Sequence, residues 1–174
     1  MNALLTYVTE SDFRLSGRVC AWCPPRWFRS WMVGASRLGD GWLWLLAAAL
    51  LGADGRFRLL SATALAAALA NVSLVVLKRR FCRPRPRPHQ AFGIAPPSHF
   101  AFDRFSFPSG HSLNAFALCA VLSPAFPLLV PLLGLLAGSV AASRVVLGLH
   151  YLSDVLVGTL VGALLGAAAY GLVM

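Results

Sequence analysis

Three groups of polar residues interrupt a sequence that otherwise consists of apolar runs: Lys78 to Pro86, then Pro108-Ser109-Gly110-His111, then Ser143-Arg144 followed by His150 and Asp154. Ionisable side chains are costly at membrane depth, so polar groups set among apolar runs are read first as functional. His150 and Asp154 stand four residues apart, which places both on one face of a helix beginning near Gly148. The carboxylate can then accept from one imidazole nitrogen and leave the lone pair of the other exposed, as a nucleophile or base requires; a purely structural His–Asp pair has the same spacing.

Ser109 sits where a loop meets a helix and is a natural N-cap. The N–H groups and dipole of that helix start, together with the close approach that Gly110 permits, make a seat for an anion. The competing reading is a plain cap with His111 resting at the interface. Arg144 precedes the Gly148 bend, and its planar fork suits phosphate oxygens. Lys78 ends an apolar run and Arg85 lies in a proline-stiffened stretch, whereas Arg79, Arg80, Arg83 and Arg87 fit a polybasic run that binds anionic headgroups. The set comprises two histidines, a carboxylate, three cations and a helix N-terminus, with no acidic pair or Cys/His group to hold a metal. These parts support in-line displacement at phosphorus through a covalent phosphohistidine, one imidazole attacking and the other protonating the leaving oxygen. No cofactor is expected.

The pattern Lys78-x6-Arg85-Pro86, Pro108-Ser109-Gly110-His111 and Ser143-Arg144-x5-His150-x3-Asp154 resembles the three-part signature of the type 2 phosphatidic acid phosphatase and vanadium haloperoxidase superfamily. All three parts match in order and internal spacing. The resemblance implies an all-helical fold in which His150 is the nucleophile, Asp154 orients it, and His111 is the general acid and then the base that activates water. It further implies that Lys78, Arg85, Ser109, Gly110 and Arg144 bind the phosphoryl group and that no metal is required; vanadate is expected to inhibit by occupying the phosphoryl seat. Integral members often have six spans, and the N-terminal region here lacks a convincing first one; its amphipathic segment is expected to take that place.

The elements that must bring these residues together are hydrophobic. The 174 residues are 58% hydrophobic and only 12% charged, with a mean hydropathy of +0.71. A soluble domain carries about 25% charged residues, so the missing polar surface is expected to face lipid. Apolar runs at 42–53, 59–77, 112–126, 128–146 and 151–174 predict about five transmembrane helices, with nineteen residues at 59–77 reaching ~28 Å, close to one hydrocarbon thickness. Asn71, inside that run, is expected to hydrogen-bond to a neighbouring helix. Residues 1–38 mix aromatics with Arg14, Arg18, Arg26, Arg29 and Arg37 around Pro24-Pro25, which suits one or two interfacial helices anchored by Trp22, Trp27 and Trp31. The first 40 residues lack an uninterrupted apolar core after a basic start, so no cleavable signal peptide is expected.

The fold expected is therefore an all-α, polytopic transmembrane helical bundle, with an interfacial amphipathic segment over 1–38 and a membrane phosphatase domain over 39–174. Five spans put the N-terminal segment, the 79–108 loop and the Arg144–Asp154 turn on one face. The formal charge is +9, and seven of the fifteen basic residues lie between 78 and 104, opposed only by Asp103. The positive-inside rule alone would place that face in the cytoplasm; the resemblance implies the extracytoplasmic face of a bacterial plasma membrane. The partners expected are the bilayer and a lipid phosphate, such as a polyprenyl diphosphate, phosphatidylglycerol phosphate or phosphatidic acid, and not nucleic acid. Alternatives are a lipid phosphotransferase with the same site and a non-catalytic anionic-lipid-binding protein. Cys20 and Cys23 form a Cys-x-x-Cys pair without a partner motif and are read as unpaired thiols.

Overall fold

In a computed structural model, residues 3–21, 24–86 and 105–174 are described, with the side chains of 3–9, 20 and 21 left aside. Trp22, Cys23, Arg87, Asp103 and Arg104 lie outside the described residues, as does the side chain of Cys20. The helices run α1 Ala3–Ala21, α2 Arg26–Leu38, α3 Trp42–Ala53, α4 Phe57–Phe81, α5 Gly110–Leu122, α6 Val130–Val146 and α7 Leu152–Val173, with a 3-10 turn at Pro127–Leu129 leading into α6. The protein is an all-α polytopic membrane bundle.

Three helices are long and apolar enough to cross a bilayer alone: Phe57–Phe81, Pro127–Val146 and Leu152–Val173. The other two apolar runs give shorter helices, α3 and α5. At ~1.5 Å per residue they reach roughly 20 Å, less than a hydrocarbon core of about 30 Å. For α5 the reason is position. It packs against α4, α6 and α7, and Leu113, Ala117 and Val121 are completely enclosed, so its length is not set by lipid.

The α5–α7 contact is the closest in the bundle and follows from three glycines spaced four apart. A Cβ at Gly158 would stand 2.7 Å from the Ser109 carbonyl oxygen, and one at Gly162 or Gly166 would collide with the backbone of Leu113 or Ala117. Small residues at this spacing let two helix backbones touch, which is how helices associate where lipid removes the hydrophobic drive. The opposite face of α7 carries Leu156, Leu160 and Leu164, all exposed, as expected for a lipid-facing stripe. At the far end from His150, Arg58 donates to the carbonyls of Val173 and Met174, so the α3–α4 turn and the C-terminus share one face. Lys78, Gly110, His111 and His150 line one cavity, as the alternation of five apolar helices predicts.

The 1–38 segment forms two helices, α1 and α2, broken before Pro25. Helix α2 packs on α6 through Met32 and Ala35 and leaves Trp27 and Trp31 exposed. Helix α1 reaches α6 and α7. There Ser16 accepts from Leu152 N (3.0 Å) and Asp12 accepts from Ser153 N (3.1 Å), so α1 supplies caps for the first N–H groups of α7. Asn71 departs from expectation: its Nδ2 donates to Ala67 O of its own helix at 2.8 Å, not to a neighbour. A carbonyl one turn back is always within reach of an Asn side chain, and this face of α4 looks onto the cavity rather than packing tightly on a neighbour.

Candidate active site

His150 is placed by backbone before any side chain acts. Gly148 adopts a left-handed conformation (φ 68°) that turns the chain out of α6, and the N–H groups of Leu149 and His150 both return to the Arg144 carbonyl, at 3.0 and 3.1 Å. The imidazole is almost fully enclosed, and its Nδ1–H donates to the carbonyl oxygen of Ser106 at 2.7 Å. Asp154 Oδ2 stands 3.6 Å from the same nitrogen. The hydrogen bond expected between His150 and Asp154 is therefore made to Ser106 instead, and the carboxylate acts on the ring as a nearby charge. Its oxygens are occupied elsewhere: Oδ2 accepts from Tyr151 N (2.9 Å) and Oδ1 from Arg83 Nη1 (2.7 Å). Burial, aided by the guanidinium charges of Arg144 and Arg85 and opposed by Asp154, pushes the imidazole down to about 4. It is neutral at pH 7, and with the proton on Nδ1 the lone pair lies on Nε2.

Arg83, which the sequence places among headgroup-binding arginines, ties this assembly together. Its Nη1 serves Asp154 and Ser153 Oγ, its Nη2 serves Asp12 at 2.8 Å, and its guanidinium lies 4.1 Å above the Tyr151 ring. Its own carbonyl accepts from Ser106 N at 2.8 Å, so one residue fixes both the carbonyl and the carboxylate nearest His150. The left-handed turn at Cys82 (φ 46°) ends α4 just before it, and Pro84 then pairs with Phe105.

The second imidazole sits differently. Ser109 is the N-cap of α5, accepting from Ser112 N and Ser112 Oγ, while its own N–H donates to the Asp154 carbonyl oxygen at 3.0 Å. His111, in the first turn, lies against Asp40 of the α2–α3 turn, with Nε2 2.7 Å from Oδ1. That turn approaches closely because residue 39 is glycine: a Cβ there would stand 2.6 Å from the His111 ring and 2.9 Å from Val140. Asp40 carries no motif spacing, and only its Gly-Asp-Gly turn marks it in the sequence.

A cavity of about 330 Å³ is lined by Lys78, Gly110, His111 and His150, together with Asp40, Trp44, Asn71 and Asn114. Four of the eight predicted site residues thus face one space. Arg85, Ser109, Arg144 and Asp154 stand behind it: Arg85 donates to Leu149 O at 3.3 Å and Arg144 to Ser36 Oγ of α2 at 2.6 Å. Among the described residues no group of His, Cys, Asp and Glu is arranged to hold a metal ion. An apolar groove of about 550 Å³ runs along α3, α5 and α6, lined by Leu43, Leu46, Ala47, Ala115, Leu118 and Leu136 among others.

Residues 57–174, more than half of the chain, match the PAP2 superfamily. The chain belongs to that superfamily. Among PAP2 relatives it is 40% identical over 119 residues to a decaprenylphosphoryl-5-phosphoribose phosphatase of Mycolicibacterium smegmatis, a match covering 68% of this chain and 62% of that protein. It is 34% identical over 138 residues to the protein of the same name in Mycobacterium tuberculosis, covering 77% and 74%. The crystal structure of a transmembrane PAP2 type phosphatidylglycerolphosphate phosphatase from Bacillus subtilis superposes with a TM-score of 0.71 at 30% identity, covering 95% of this chain and 86% of that one. Aquifex aeolicus LpxE superposes with a TM-score of 0.75 at 26% identity, covering 91% and 94%.

Proposed function

We propose that this PAP2 protein hydrolyses a lipid phosphomonoester or pyrophosphate through a phosphohistidine on His150. The observation that carries the reading is one cavity holding a neutral, buried imidazole, a second imidazole paired with a carboxylate, and the Lys78 ammonium beside the dipole end of α5. His150 Nε2 attacks phosphorus while the bond to the leaving alcohol oxygen breaks, and His111 gives that oxygen its proton. Water then attacks the phosphohistidine, His111 takes the water proton, and inorganic phosphate leaves with His150 restored. The Asp40 carboxylate offsets the charge of the His111 imidazolium, which enters the first step as the acid and is formed again when the water proton is taken in the second. Lys78 and the start of α5 stabilise the oxygens in flight, and Arg85, Arg144, Ser109 and Asp154 hold this geometry from behind, close enough to add to the field.

The lipid tail occupies the groove along α3, α5 and α6, reached laterally from the bilayer. The relatives named for decaprenylphosphoryl-5-phosphoribose support a polyprenyl-linked phosphomonoester. The 1–38 segment lies in the headgroup region, its exposed Trp27 and Trp31 as anchors, and completes the phosphatase domain of 39–174. The site faces the extracytoplasmic side of a bacterial plasma membrane. Lys78 and Arg144 are buried, and Arg83 and Arg85 are bonded within the site, so none of the four serves as a topogenic surface charge. The test is phosphate release from a panel of lipid phosphates by purified protein in detergent with chelator present. The account expects turnover that vanadate blocks and that falls about 10⁴-fold in a folded His150→Ala variant; undiminished turnover in that variant overturns it.

A further inference from the structure

The cavity has two chemically different ends. Lys78, Gly110 and His150 form a cationic, donor-rich end where a phosphoryl group fits. Asn71 and Asn114 line the same cavity, farther along α4 and α5 from that end. Along α4, Asn71 lies two turns before Lys78, ~10 Å; along α5, Asn114 lies one turn beyond Gly110, ~6 Å. Both amides are held in the same way: Asn71 Nδ2 donates to Ala67 O at 2.8 Å and Asn114 Nδ2 donates to Gly110 O at 3.1 Å. A backbone carbonyl can only accept, so the nitrogen of each amide is fixed toward it and Oδ1 is the acceptor left for the cavity. Neither Oδ1 has a partner among the described residues. The next positions on the flanking helices, Leu43 and Ala47 of α3 and Ala115 and Leu118 of α5, already line the apolar groove.

Within the cavity, then, a ligand meets phosphate-binding groups and two amide acceptors, while neighbouring positions of α3 and α5 line an apolar trough. We propose that Asn71 and Asn114 form a subsite for hydroxyl groups on a short linker between the reacting phosphate and the lipid anchor. This rests on the phosphatase reading of the site and narrows its substrate to a phosphomonoester carried on a polyol or sugar that is itself attached to lipid. A hydroxyl donates to an amide oxygen. The second phosphate of a prenyl diphosphate brings only acceptors and negative charge to a place where two amide oxygens and the Asp40 carboxylate already stand. A lipid phosphate whose linker carries no hydroxyl leaves the two amides unpaired once water is displaced, which is where discrimination arises.

The experiment compares kcat/KM for phosphatidylglycerol phosphate and for its analogue with propanediol in place of the phosphate-bearing glycerol, identical in acyl chains and lacking only the free hydroxyl. Wild-type protein in mixed micelles is expected to prefer the hydroxylated lipid by roughly tenfold. In Asn71→Leu and Asn114→Leu that ratio is expected to fall toward one. A wild-type ratio near one overturns the subsite, and so does a ratio unchanged in both variants; the wild-type ratio decides alone if a variant does not fold. Release of phosphate from both lipids at equal rates sinks the subsite and leaves the phosphatase standing, whereas failure to release phosphate from these two lipids and from every lipid of the wider panel sinks the phosphatase reading itself.

Discussion

The two imidazoles of the cavity are held in opposite ways. His150 has 2% of its side chain exposed, is held by its own N–H to the Arg144 carbonyl and by Nδ1 to the Ser106 carbonyl, and has Asp154 of α7 3.6 Å from the ring. His111 is 24% exposed and leans on one carboxylate, Asp40, which is itself 56% exposed. A nucleophile benefits from burial, because desolvation keeps the ring neutral and a fixed lone pair meets phosphorus at one angle. An acid that becomes a base within one cycle must exchange its proton with water, and exposure serves that. The contrast fits the proposed roles: a rigid, buried ring suits attack on phosphorus, and a solvent-contacting ring suits carrying the proton.

The strongest way to break this contrast is to loosen the rigid side without touching the ring. Arg83→Gln removes the guanidinium that spans Asp154, Ser153 and Asp12, and kcat should fall about 100-fold with KM little changed, since a misplaced nucleophile loses rate and not lipid affinity. Steady-state kinetics in mixed micelles measures it. A change confined to KM would return Arg83 to headgroup binding.

Loosening the solvent-facing side should cost less. Asp40→Asn leaves a hydrogen-bond partner for His111 and removes the charge, so kcat should drop roughly tenfold and the pH–rate profile should change shape. An identical profile would mean that Asp40 does not serve the proton carrier.

The smallest effect is on stability. The folded site refuses a proton at His150 until about pH 4, whereas the unfolded chain takes it near pH 6.5. Because the folded value is the lower one, this contribution is intact above pH 6.5 and is lost as pH falls from there to about 4, at most about 3 kcal/mol. Thermal melts over that window should show a smaller pH dependence in His150→Gln than in wild type, and equal slopes would argue that the ring is not buried neutral.

Much of this arrangement is legible in the sequence, for identifiable reasons. Hydropathy marks all five apolar helices because lipid punishes polar residues, and the spacings around Ser109 and His150 follow from helix geometry. The four-residue period of Gly158, Gly162 and Gly166 takes on its meaning only once the α5 backbone lies against it. Other features leave no trace. The acceptor for His150 Nδ1 is a backbone carbonyl, which every residue possesses. Arg83 differs from Arg79 and Arg80 only because α4 ends at Cys82, and its partner Asp12 is some seventy residues away in a helix that looks like a surface anchor. Asn71 reads as a helix–helix contact until the packing shows that it faces a cavity. The short α3 and α5 show the converse limit, since an apolar run reports burial and does not say whether lipid or protein provides it.

The central claim is that the buried imidazole forms the bond to phosphorus. Purified protein turning over a lipid phosphate should be quenched rapidly into base, which preserves phosphohistidine, digested and mapped by mass spectrometry. The account predicts a phosphoryl group on the peptide containing His150, absent from the vanadate-inhibited sample. Phosphate on His111, or steady turnover with neither histidine labelled, would contradict it.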